Sequence, residues 1–243
     1  MEPLIKNNCE YYLNKIRNNE YFSFARFGDG EVLAMFESKW AGNCDGAPYL
    51  KELREPMKQI FLNKYPYYHC LLYCTGHPYI KSLFGEEIAD KFYALIDNGT
   101  QYYDGEIWQE YAFKDRIAEI TYAISDKPFC LIGSSKLVKM LEVDGINKEN
   151  AQFVVVNDRT SFKDTKRVID EIMDYYDEGV RMFCFSAGYS TKIWIDMLWP
   201  VYGGTAFFID FGSVFDPFCG KLSRSGMVEK GLAYYQQFTK HKL

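Results

Sequence analysis

Apolar and polar positions along the chain switch repeatedly between two periods. Leu4, Ile5, Cys9, Tyr12, Leu13 and Ile16 recur at helical spacing and predict a helix over Leu4–Ile16 that lays one face on a core. Tyr21 to Phe27 alternates and predicts a strand, cut off by Gly28-Asp29-Gly30. A short helix is predicted over Glu31–Phe36, then a loop over Glu37–Pro48 rich in turn residues. Tyr49–Leu62 reads as a helix with Leu50, Leu53, Met57, Ile60 and Phe61 inward. His69–Cys74 reads as a short strand ending in Thr75-Gly76, and Gly85–Ile96 and Ile107–Ile124 as helices. From Pro128 the alternation becomes regular. Strands are predicted at Phe129–Ile132, Phe153–Val156, Met182–Phe185 and Ala206–Ile209, with helices at Lys136–Leu141, Thr165–Tyr176 and Thr191–Trp199 between them. Repeated strand–helix units predict an α/β fold: a Rossmann-like, mostly parallel sheet with helices on both faces. The strands are near-continuous apolar runs, as strands covered on both faces should be.

Residues 1–243 read as a single domain, with a polar break at Asn98-Gly99 and Asp104-Gly105 marking a seam near 97–106 between two lobes. Asp104-Gly105-Glu106 opens a helix with no predicted strand running into it and reads as capping. The 243 residues and 48% hydrophobic content suffice for a core without staples. No apolar run approaches the length of a membrane span and no leader pattern is present, so a soluble, unprocessed, cytoplasmic protein is expected. A net charge of -5 argues against a broad nucleic-acid surface. The seven cysteines are scattered and read as buried small hydrophobes in a reducing compartment. Three histidines argue against a zinc site and against a hydrolase triad.

In an open parallel sheet, ligands bind beyond the carboxyl ends of the strands. Here those ends are Gly28-Asp29-Gly30, Thr75-Gly76, Gly133-Ser134-Ser135, Asn157-Asp158-Arg159, Ser186-Ala187-Gly188 and Asp210-Phe211-Gly212-Ser213. Their small and polar residues converge on one rim. Gly133-Ser134-Ser135-Lys136 and Ser186-Ala187-Gly188 with Lys192 each join a strand to a helix and suit a phosphate, through free amides, little steric bulk and a lysine charge. Their serines equally suit plain helix caps. Asp29 and Glu31 suit a hard divalent cation that shares a substrate's phosphates, with Arg26 within reach of a phosphate oxygen. They equally suit a turn aspartate and a first-turn glutamate. Neither a P-loop nor a G-x-G-x-x-G fingerprint is present.

Ser23-Phe24-Ala25-Arg26-Phe27-Gly28-Asp29-Gly30-Glu31 resembles the S-x-R-F-G-D-G-E signature of the GT-D-type glycosyltransferases. Phe185-Ser186-Ala187-Gly188 with Lys192, followed by Ile209-Asp210-Phe211-Gly212, resembles that family's C-terminal pattern of a small turn, a helix and a strand ending in D-I-G. The strand at Phe153 with Ser161-Phe162 resembles a third, weaker block. This chain departs from the pattern with Ser213 where the family commonly has His, and Asp216-Pro217-Phe218 matches the family's acidic-aromatic ending only loosely.

The resemblance implies a GT-D-like fold and a metal-dependent glycosyltransferase. It would move a sugar from a nucleoside-diphosphate sugar, with a UDP-sugar as the expected donor, to a hydroxyl of a glycan or glycoconjugate. It implies Mn²⁺ or Mg²⁺ at Asp29 and Glu31, beside donor contacts from Arg26, Gly28, Ser186, Gly188 and Lys192; the strand-end reading adds Gly133, Ser134, Ser135, Lys136 and Asn157 to the donor contacts. Arg159 could add charge there, and Asp210 or Asp216 are base candidates by position. Two other classes remain open on the residues alone: a Rossmann-type enzyme using NAD or adenosyl-methionine, and a non-catalytic nucleotide- or sugar-binding protein.

Overall fold

The computed structural model describes residues 5–36, 51–97, 99–142, 146–157 and 161–219. The loop Glu37–Pro48, the pair Asp158 and Arg159, and the tail from Gly220 lie outside the described residues. Seven described strands form one all-parallel sheet: β1 (Ser23–Phe27), β2 (Tyr68–Leu71), β3 (Tyr102–Asp104), β4 (Phe129–Gly133), β5 (Ala151–Val155), β6 (Met182–Ser186) and β7 (Phe207–Asp210). Their order across the sheet is β3-β2-β1-β7-β6-β4-β5. The architecture is the α/β one that the sequence predicts.

Helices cover both faces and divide the core in two. One face packs under α2 (Asp29–Phe36), α3 (Arg54–Asn63), α4 (His77–Phe84), α5 (Glu86–Ile96), α8 (Thr165–Asp177) and α9 (Ser190–Tyr202), around Phe27, Phe61, Phe92, Phe183, Phe185 and Trp194. The other packs under α1 (Cys9–Arg17), α6 (Ile107–Tyr111) and α7 (Ile117–Ser125), around Tyr12, Phe24, Trp108, Phe129 and Phe211. Connections that run toward β3 cross the α9 face and those that run toward β5 cross the α1 face, as one uniform crossover hand requires. On the α1 face, Tyr12 is an aromatic hub. It meets Phe22, Phe24, Tyr68 and Trp108 at centroid distances of 5.5, 5.3, 5.2 and 5.8 Å in tilted or edge-on geometry. Each such pair adds about 0.5–1.5 kcal/mol beyond burial.

Several boundaries differ from the sequence expectation for local reasons. α1 begins at Cys9, because the Asn8 side chain accepts the Tyr11 amide at 2.9 Å as an N-cap. Ile5, expected inside that helix, runs beside β3 instead. Its amide donates to the Tyr102 carbonyl and its carbonyl accepts from the Asp104 amide, both at 3.0 Å, which covers a sheet edge. Tyr102–Asp104 is itself a strand, so Asp104-Gly105-Glu106 does follow a strand; three residues are too few to show alternation. The seam expected near 97–106 therefore carries an edge strand of the same sheet. Ile107–Ile124, expected as one helix, is interrupted by a π-helical turn at Ala112–Arg116. α4, which the sequence reading leaves unassigned, starts at His77 with Pro78 in its first turn.

His69 on β2 is buried against Tyr67, whose ring stacks on it at 4.2 Å. Among the described residues neither ring nitrogen has a hydrogen-bond partner of good geometry. Burial pushes its pKa down to about 4, opposed only weakly by the Tyr65 backbone. An unfolded histidine titrates near 6.5, so between pH ~6.5 and ~4 the unfolded chain binds the extra proton. Stability is therefore expected to fall by roughly 3 kcal/mol as pH drops through that window. Urea unfolding of the wild type and His69→Phe from pH 7.5 to 4 checks this: the wild type shows the slope and the variant loses most of it.

Candidate functional site

The β1 turn is built by hydrogen bonds that leave no room for side chains. Glu31 reaches back so that its Oε2 accepts the Gly28 amide at 2.7 Å, and the Val32 amide donates to the Gly28 carbonyl at 3.2 Å, so α2 begins at once. A Cβ on Gly28 would lie 2.8 Å from Leu72 Cδ1, and one on Gly30 would lie 3.2 Å from the Tyr189 ring and hydroxyl. The turn thus threads between the exit of β2 and the start of α9. Asp29 is half-buried at its mouth. Its Oδ1 accepts the Gly30 amide at 2.9 Å, and its own amide donates to Cys74 Sγ at 3.4 Å. Burial and the nearby Asp29 charge push the Cys74 thiol up to about 12, so it meets that amide as a neutral thiol.

Behind Asp29 lies a buried ionic triad. Lys192 on α9 points inward. Its Nζ stands 2.9 Å from Glu31 Oε1 and 3.1 Å from Asp210 Oδ2, and donates to the Gly188 carbonyl at 3.1 Å. Asp210 at the end of β7 is also fully engaged: its Oδ1 accepts the Gly212 amide at 2.9 Å and its Oδ2 the Arg26 amide at 3.4 Å. The side chains of Lys192, Glu31 and Asp210 are 7%, 12% and 2% exposed. Burial alone would raise the Glu31 carboxyl, but the Lys192 charge and the Gly28 amide outweigh it and hold the pKa below the ordinary value. Burial alone would lower Lys192, but Asp210 and Glu31 outweigh it and hold the ammonium above its ordinary value. The sequence reading places Lys192 on a donor phosphate; in the structure its ammonium joins three strand-to-helix turns instead.

Arg26 faces the opposite side of the sheet. Its Nη1 donates to the Phe211 carbonyl at 2.9 Å and its Nη2 to Gln109 Oε1 at 3.1 Å, while Gln109 Nε2 donates to Ser213 Oγ at 2.8 Å. The guanidinium therefore props the β7 turn from beneath rather than lining the open rim. Gln109 and Ser213 are partners that the sequence reading missed. The available signal was a glutamine on the inward face of a helix otherwise buried through Ile107, Trp108 and Tyr111.

The remaining predicted residues do share the rim. Pairing of Gly133 with Ser186, of Gly133 with Val155, and of Phe185 with Asp210 brings these strand ends level. A Cβ on Gly133 would lie 2.7 Å from the Ser186 carbonyl, so β4 and β6 approach too closely there for any side chain. Ser135, Lys136, Asn157 and Gly188 are exposed, and Ser134 and Ser186 half-buried. Among the described residues the Ser186 hydroxyl has no hydrogen-bond partner. The element after Gly133 is 3₁₀ rather than α, with Ser134 Oγ accepting the Lys136 amide at 3.5 Å. At ordinary strand spacing the β6 turn lies about 10 Å from the β1 turn and the β4 turn about 14 Å from it. Asp216, the second base candidate, is half-buried where a 3₁₀ turn follows the β7 loop.

A hard cation needs carboxylate oxygens that are not already neutralised. Asp29 fits that need with a carboxylate at the mouth of the turn. Glu31 does not, since the Lys192 ammonium holds Oε1 and the Gly28 amide holds Oε2. Among the described residues no three His, Cys, Asp or Glu side chains converge as a ligand set.

No protein-family model and no curated protein sequence matches this chain. Solved structures do. One is described as "A New Glycosyltransferase (DUF1792) from Streptococcus sanguinis". It superposes with a TM-score of 0.63 at 12% identity, over 99% of this chain and 88% of that one. Another is described by the statement that "the highly conserved domain of unknown function 1792 has a distinct glycosyltransferase fold". It gives 0.61 at 14% identity, over 87% and 79%. At these identities the likeness is one of fold, and it spans nearly the whole chain.

Gly212 holds a φ of +56°, and a Cβ there would collide with Arg26 Nη1. Gly212→Ala should therefore cost about 1–3 kcal/mol, because it combines a strained backbone with displacement of the guanidinium. Chemical denaturation checks this, with Gly179→Ala, a positive-φ glycine with open space around it, separating strain from collision.

Proposed function

We propose that this protein is a glycosyltransferase that takes a nucleoside-diphosphate sugar, with UDP the expected nucleotide, and transfers the sugar to a hydroxyl of a glycan or glycoconjugate. The observation that carries the reading is the sharing of one rim by the Asp29 turn and the glycine-serine turns after β4 and β6. The fold is one that other structures with a glycosyltransferase description also have. The distances between those turns suit an extended nucleotide sugar laid across β7.

Departure of the nucleoside diphosphate builds negative charge on its phosphate oxygens. The helix N-terminus at the start of α9 beside Gly188, the Gly133–Ser135 turn, and the exposed Lys136 ammonium are placed to receive that charge. Ser186 offers on the same side a hydroxyl without a partner among the described residues. Mn²⁺ or Mg²⁺ between Asp29 and the diphosphate would supply further neutralisation of the leaving group. Asp29 sets the position of the diphosphate at the β1 end. The attacking hydroxyl must give up a proton as the new bond forms. Asp216 is the base we assign, by its half-buried position in the turn that follows the β7 loop.

Asp29→Asn should lower kcat/KM at least about 100-fold while the melting temperature stays within about 1 °C, since Asp29 is half-exposed and, among the described residues, its side chain bonds only to the Gly30 amide of its own turn. A fully active Asp29→Asn protein would remove Asp29 from the reaction. The donor is tested by thermal shift with nucleotides and nucleotide sugars, with and without Mn²⁺, followed by product detection. Stabilisation by UDP that requires Mn²⁺, with sugar transfer, is expected. Stabilisation by NAD or adenosyl-methionine instead overturns the reading, and binding without turnover reduces the protein to a binding module.

A further inference from the structure

The Asp29–Glu31 pair is two carboxylates one residue apart, yet the fold treats them differently. Asp29 opens toward the rim. Glu31 turns inward to an ammonium that also touches Asp210 and the Gly188 carbonyl, so three oxygens surround one nitrogen at 2.9–3.1 Å. That is the arrangement a bound cation would adopt, with the cation supplied by the chain itself. A second cation seated on Glu31 would have to approach a fixed positive charge in a poorly screened site and displace it from its carboxylates.

We propose that Lys192 is a tethered cation that keeps Glu31 and Asp210 out of metal coordination, so that Asp29 alone of the Asp29–Glu31 pair meets the diphosphate and its cation. Lys192 is then a positioning residue. It locks the β1 turn, the β7 turn and the start of α9 to one another, and so sets where Asp29 stands relative to the Gly188 amides. Removing it should convert a structural cage into an acidic one. Glu31 and Asp210 would face each other without a counterion, and a free divalent cation would enter where the ammonium had been. The proposal uses the functional reading only to name the diphosphate; the test needs neither donor nor turnover, so a failure of sugar transfer leaves its result standing.

Mn²⁺ binding to the full chain, without nucleotide, is followed by the loss of the free-ion electron paramagnetic resonance signal. Melting temperature is recorded in parallel in EDTA. Lys192→Met should bind Mn²⁺ at least tenfold more tightly than wild type, and Lys192→Met/Glu31→Gln should lose that gain. In EDTA, Glu31→Gln should lower the melting temperature by at least about 5 °C, since it strips a buried ammonium of one counterion, while Asp29→Asn should not. The proposal is overturned if Glu31→Gln melts like wild type in EDTA, if Glu31→Gln weakens wild-type Mn²⁺ binding tenfold or more, or if a folded Lys192→Met shows no gain. Should Lys192→Met not fold, the EDTA melting of Glu31→Gln against Asp29→Asn decides.

Discussion

One ammonium shared by two carboxylates fixes the geometry on which the rim depends. Lys192 comes from α9, Glu31 from α2 and Asp210 from β7, so the triad ties the first strand-to-helix junction to two consecutive elements near the other end of the described chain. Burying three charges is costly, and removing one partner from such a group generally destabilises far more than the group itself stabilises. The fold offsets that cost with backbone donors and acceptors: the amides of Gly28 and Gly212 meet the carboxylate oxygens that the ion pairs leave over, the Arg26 amide adds a second donor to Asp210 Oδ2, and the Gly188 carbonyl accepts from the ammonium.

Around that point the sheet works as a ruler. All described strands run parallel, so every turn after a strand opens on the same rim, and the order places β7 between the Asp29 turn and the Ser186 turn. β7 itself is gripped from both faces, by Lys192 from one side and by Arg26 with Gln109 and Ser213 from the other. Glycine at 212 answers positive φ and the approach of Arg26 there, and glycine at 28, 30 and 133 answers close approach of Leu72, Tyr189 and Ser186 elsewhere on the rim. Small residues at the rim therefore have a packing cause of their own, room for neighbouring elements at the same turns.

This division changes what a short acidic motif means. Two carboxylates at i and i+2 look equivalent along a chain, but at a strand-to-helix junction the first points out of the turn and the second back into it. A helix first turn favours negative charge at either position. Only a lysine arriving from another element separates their roles.

Much of the fold was legible in the residues. The period of apolar positions located six of the strands and most helices, because burial on one or both faces must be written locally. The interruption at Ala112–Arg116, the strand at Tyr102–Asp104 and the helix at His77–Phe84 escaped, because short elements carry too few residues to show a period. The convergence of Gly28, Gly133, Ser186 and Asp210 on one rim was legible too, since parallel strands share their carboxyl ends. What the sequence could not decide is which way Arg26, Glu31, Lys192 and Asp210 point. Whether a charged group meets solvent, a ligand or another charge depends on partners from other elements, up to 185 residues away for Arg26 and Phe211, and only the packed sheet and α9 bring Lys192 to Glu31.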